Sequence, residues 1–112
     1  MPLKSTNQVA LSGRLSRKGS LRYTPGGLAV LELVVTLPDP SDPQRMEYFP
    51  VSLQGEFAVK GEEISVGEEI QLIGHLKMRT FVNQLNQPVE KLEIIGDRFQ
   101  IVFEPLILEK EK

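Results

Sequence analysis

The sequence predicts an all-β fold: a small closed barrel of five strands, with at most one short helix between strands three and four. Three observations predict it. Apolar and polar residues alternate at period two in two separate stretches, around Val9 to Leu15 and around Ile70 to Leu76. Clusters of Gly, Pro and Asn divide the apolar runs into short segments. Only Gly55 to Gly67 has room for a helix, and its glycines leave little more than one turn. A chain of 112 residues suits one domain around a single core.

The elements follow in order. In the first strand Val9, Leu11, Gly13 and Leu15 share one face, and Gln8, Ala10, Ser12 and Arg14 share the other. Gly13 predicts a bulge or sharp bend there. Thr24-Pro25-Gly26-Gly27 reads as a turn, because Pro presets φ and Gly accepts positive φ. Leu28 to Leu37 is apolar and β-branched and forms strand two. Pro38 to Pro43 reads as a stiff loop outside any strand, since its three prolines lack the donor N–H. Met46 to Leu53 is strand three, with Pro50 tolerable at an edge or bulge. Glu56 to Lys60 is the one candidate helical turn. Glu68 to Arg79 is strand four, Asn83 to Pro88 a polar hairpin loop, and Val89 to Phe103 strand five with a bend at Gly96-Asp97. Phe57, Phe99 and Phe103 read as core. This count fits the OB-fold, a five-stranded Greek-key barrel of this size. An SH3-like barrel or a small sandwich fits it too.

Composition removes several classes of function. The chain has no Cys, which excludes disulfides and thiolate chemistry. No apolar run approaches the roughly 18–20 residues that span a bilayer. The first residues contain no apolar h-region, so no signal peptide is expected and the cytoplasm is the simplest location. His75 is the only histidine and has no sequence-evident partner, so no catalytic site, metal site or cofactor is expected.

The charge pattern points to a polyanion. The net charge is −2, yet no Asp or Glu precedes Glu32, while Lys4, Arg14, Arg17, Lys18 and Arg22 do. Local fields of this kind attract polyanions whatever the overall charge. A solvated strand face is the ordinary alternative for a charge run; the lack of any interspersed acid favours binding. Lys77, Arg79 and Phe81 have equal parity, which sets an aromatic beside two cations on the outer face of strand four. An exposed aromatic there is a poor core residue and a good stacking platform.

Four stretches in order carry a resemblance: Asn7 to Leu15, Leu21 to Gly27, Gln54-Gly55-Glu56-Phe57-Ala58, and Gly67 to Phe81. Together they resemble the bacterial single-stranded DNA-binding protein family, including its short relative primosomal replication protein N, over residues 7 to about 103. The resemblance implies an OB-fold that binds single-stranded DNA with little sequence preference, in replication, repair or recombination. It sets Tyr48 and Phe81 on two base-stacking positions of the family. A third such position is Gln54, which cannot stack as an aromatic does. A fourth falls in the proline-filled loop after strand two. The family carries a long tail with an acidic-apolar tip; this sequence ends at Glu109 to Lys112, and on that reading no such tail is expected.

These readings give a candidate DNA-binding set of Arg14, Arg17, Lys18, Arg22, Tyr23, Tyr48, His75, Lys77, Arg79, Phe81 and Lys91. Residues 1–105 form the expected binding domain and residues 106–112 a short charged tail. The expected partners are single-stranded DNA, further copies of the chain paired through residues 6–15 (a dimer before a tetramer), and replication or restart proteins; no membrane is expected. Two other readings remain. One is a restart-primosome adaptor, in which helicase contacts outweigh DNA affinity. The other is an OB domain for protein interaction, its basic strand merely solubilising.

Overall fold

A computed structural model describes residues 4–103. In chain order the elements are β1 (Val9–Lys18), β2 (Arg22–Tyr23), β3 (Ala29–Asp39), β4 (Asp42–Gln54), α1 (Glu56–Gly61), β5 (Glu69–Val82) and β6 (Pro88–Ile101). The sheet order is β1-β5-β6-β4-β3-β2, and β1 also pairs with β3, which closes five strands into a barrel. This is the OB-type closure expected from the strand count. The sixth strand is the two-residue β2, which adds to the edge of β3 just before the turn at residues 24–27. All ladders are antiparallel except one, where Val51–Leu53 of β4 run parallel to Ile94–Gly96 of β6. The charged tail, residues 106–112, lies outside the described residues.

Each strand reaches the core through its alternating apolar face. Leu15, Leu31, Leu33, Val35, Val51, Leu53, Ile70 and Leu72 are at most 1% exposed. The helix closes one end of this core with Ala58, and Ile64 follows it inward. Phe57 of the helix and Phe99 of β6 pack edge to face at 5.7 Å; both are half-buried, Phe99 against the core and Phe57 at its margin rather than within it. Phe103 does not join them. It is 78% exposed, because β6 ends at Ile101 and the last ladder bond, from Val102 N–H to the Glu69 carbonyl, leaves Phe103 beyond the barrel.

The bend in β1 lies elsewhere than expected. The bulge falls at Ser16, between Leu15 and Arg17, and Ser16 Oγ donates to the Val34 carbonyl at 3.2 Å. Gly13 serves a different need: a Cβ there would stand 2.6 Å from the Thr36 carbonyl oxygen as β3 crosses over. The bend in β6 is where the sequence puts it. Ile73 pairs with Arg98 and Gly74 with Gly96, which leaves Asp97 as the extra residue of a bulge.

Two hairpins project from the barrel and draw the molecule out to 63 × 35 × 35 Å. One is β3–β4, and here the proline reading is corrected. Pro38 lies within β3 and Pro43 within β4, so that only Pro40 and Ser41 remain as the turn. Beyond Thr36, β3 has lost β1 and pairs with β4 alone. Each strand of such a ribbon has a free edge, where a missing N–H costs no ladder bond. Pro50 obeys the same rule, since β4 gains β6 as a neighbour only from Val51 onward. The other hairpin, β5–β6, runs paired from Ile70–Ile101 to Val82–Pro88.

Candidate nucleic-acid interface

The outer faces of β2, β3 and β4 and the root of the β5–β6 hairpin form one surface with three adjoining hollows. The first is lined by Ser16, Arg17, Val34, Tyr48 and Pro50. Its aromatic wall is Tyr48, 64% exposed and paired across the ribbon with Thr36. The second gathers cations from distant parts of the chain: Arg22 of β2 meets Lys77 and Arg79 of β5, above Ser52 and Gln54 of β4. The third is a cleft between the two diverging hairpins. Phe49 and Pro50 stand on one wall and Leu76, Lys91 and Leu92 on the other. Glu32, Ser52 and Glu93 line both the second hollow and the cleft, so the two are continuous.

Alternation along β5 makes the hairpin two-sided. Arg79 lies over the Phe81 ring at 5.8 Å, as expected of neighbours on one face. Phe81 stays 40% exposed beside it. Arg79 is also held by Glu93, with Nη2 to Oε2 at 2.9 Å, and Arg22 by Glu32 at 3.3 Å. Arg17, Lys77 and Lys91 have no carboxylate within 4.0 Å among the described residues. Tyr23 is 61% exposed on β2, next to Arg22.

Five members of the predicted set line none of these hollows: Tyr23 and Phe81, exposed beside Arg22 and Arg79, and Arg14, Lys18 and His75, which are held elsewhere on the barrel. Arg14 donates to the Gly67 carbonyl at 2.6 Å and pairs with Glu69 at 3.4 Å. The Lys18 ammonium donates to the carbonyls of Glu62 and Ile64, each at 2.8 Å, at the helix end of the barrel. His75 Nδ1 lies 2.9 Å from Asp97 Oδ2, beside the β6 bulge. The run of basic residues is therefore partly compensated in space: Glu69 and the Gly67 carbonyl meet Arg14, the Glu62 and Ile64 carbonyls meet Lys18, and Glu32 meets Arg22, while Arg17 keeps no carboxylate within 4.0 Å among the described residues. Phe49, Glu32 and Glu93 belong to the surface and escaped the sequence reading. For Glu93 the only signal is its register opposite Lys77, which period alone does not reveal.

A further depression lies on the outer face of β1, β5 and β6, lined by Ala10, Ser12, Gln71 and Gln100, with Arg98 as its cation. It shares no residue with the three hollows.

Comparison with known proteins gives this surface its context. The model of the single-strand binding protein family matches residues 6–102. The chain belongs to that family. Among relatives of this single-strand binding family member, a Streptococcus pneumoniae protein named single-stranded DNA-binding protein is 27% identical over 101 residues, covering 86% of this chain and 65% of its own length. A Thermus aquaticus protein of the same name is 33% identical over 76 residues, covering 65% of this chain and 29% of its own length. One from Streptococcus pyogenes is 27% identical over 107 residues, covering 86% and 62%. The chain thus spans less than two-thirds of the length of these curated relatives. Family membership and the closed barrel agree, and no helix among the described residues is long and apolar enough to cross a membrane.

Proposed function

We propose that this protein binds single-stranded DNA with little sequence preference and serves DNA replication, repair or recombination in the cytoplasm. The observation that carries the reading is that exposed aromatics and cations share one face of the barrel. Tyr48 lines one hollow with Arg17, and Phe81 lies under Arg79, which lines another with Lys77. In this reading Arg17, Lys77 and Lys91, which have no carboxylate partner among the described residues, meet phosphates first and release the condensed counterions. Bases stack on Tyr48, Phe81 and Tyr23, and stacking tolerates any sequence because every base has a π-face. Gln54 removes one platform, so affinity is expected to be moderate.

The edge of β1 supports a further part of the proposal, a homo-oligomer formed through residues 6–15. Val9 to Gly13 pair with β5 on one side, while pairing with β3 begins only at Arg14. The opposite edge of that half-strand carries backbone groups that another copy can bond. A second reading, a replication-restart adaptor, is favoured by the acids that hold Arg22 and Arg79. Fluorescence titration with oligo-dT at two salt concentrations tests the choice. Binding of moderate affinity at low salt that weakens as salt rises is expected. Negligible binding at low salt rejects the DNA-binding reading and leaves the adaptor.

A further inference from the structure

We infer that Glu32 and Glu93 are internal competitors of the DNA phosphates: they hold Arg22 and Arg79 on the barrel surface and lower the affinity of this face. The inference rests on the DNA-binding reading above. Arg22, Lys77 and Arg79 line one hollow, and the two carboxylates line it with them. Arg22 Nη2 lies 3.3 Å from Glu32 Oε2, and Arg79 Nη2 lies 2.9 Å from Glu93 Oε2. Two of the three cations are thus already paired, which leaves Lys77 as the one without a carboxylate within reach.

A carboxylate and a phosphate present similar oxygens to a guanidinium fork. A phosphate arriving at Arg22 or Arg79 therefore displaces a group of its own kind. The side chains of the Arg22–Glu32 pair are 59% and 54% exposed, and those of Arg79–Glu93 are 55% and 23% exposed. The Arg22–Glu32 pair, open to water on both sides, is weak and exchanges readily, while the more enclosed Glu93 holds Arg79 more firmly. The displaced carboxylate then stays beside the strand, where it repels phosphate and takes up a cation. That uptake offsets part of the counterion release that drives binding. The face consequently binds more weakly, and with a flatter salt dependence, than its count of cations implies.

The test uses Glu32→Gln and Glu93→Gln in the full chain, with oligo-dT anisotropy over a range of salt and a thermal melt of each variant. Each substitution is expected to tighten binding by about two- to fivefold. The double variant is expected to steepen the plot of log affinity against log salt, by up to about 0.7 per released arginine. In an Arg22→Gln background the gain from Glu32→Gln is expected to shrink to what removal of one repelling charge gives, since no arginine remains there to release. A gain that persists undiminished there reflects overall charge alone and overturns the inference, as does unchanged or weaker binding of folded Gln variants. Failure of the two readings is distinguishable. If the wild-type protein itself does not bind oligo-dT at low salt, the DNA-binding reading falls and takes this inference with it. If it binds and the Gln variants do not tighten, only the inference falls.

Discussion

At the scale of single residues, environment divides cations that look alike in the chain. Arg14 and Arg17 lie three positions apart. Arg14 is tied to Gly67 and Glu69, whereas Arg17 lines a hollow with Tyr48. Phe81 is the residue whose role parity already suggested, and its exposure beside Arg79 fits a stacking platform. Phe81→Ala is expected to weaken oligo-dT binding by about 1–3 kcal/mol, the worth of one base–aromatic stack. Its melting behaviour should match the wild type, because the ring lies on an exposed ribbon outside the core. Anisotropy and a thermal melt check both halves. An unfolded variant, or one of unchanged affinity, would remove Phe81 from the binding face. Parity was legible here because it needs only the local period of a strand. The carboxylate partners of Arg22 and Arg79 were not, because Glu93 meets Arg79 only through the register of β5 on β6.

At the scale of elements, the two hairpins depend on how strands leave the barrel. The β5–β6 hairpin departs where Gly74 faces Gly96 and Asp97 bulges out. A Cβ on Gly74 would collide with the Ile95 carbonyl, a backbone group with no rotamer to escape through. Gly74→Ala is therefore expected to cost about 1–3 kcal/mol, the usual range for overpacking, read as a lower urea midpoint. An unchanged midpoint would mean that the two strands can separate there at no cost. The glycine was visible in the sequence as an interruption of an alternating strand, a sign of close backbone approach. Pro38 and Pro43 misled for a related reason. Proline is barred from a strand with neighbours on both sides, and only the tertiary structure tells that the β3–β4 ribbon has a free edge along each strand.

At the scale of the whole molecule, the barrel closes by sharing β1 between two partners. Its first half bonds to β5 and its second half to β3, with the changeover at Arg14 and the Ser16 bulge within the second half. That division leaves an open edge on the first half. Natural sheets cover such edges, and assembly of identical chains is a common way to do it. Light scattering at micromolar concentration is expected to give a multiple of the 12.6 kDa chain mass, twofold before fourfold. A monomer mass would rule out assembly through residues 6–15. A dimer would also align two basic faces and lengthen the path for one strand, with a gain in avidity.

The sequence by itself determined the succession of the five main strands along the chain, the period-two faces that build the core, the single helical turn, the bend at Gly96-Asp97 and the exposed side of Phe81. These are local properties: they follow from alternation, from glycine and proline stereochemistry, and from the short range of backbone preferences. The tertiary structure alone decided which cations meet which acids, which prolines stay within strands and which half of β1 keeps an open edge. Barrel closure pairs residues tens of positions apart, as Arg14 with Glu69 and Arg22 with Lys77, and a one-dimensional pattern contains no information about that register.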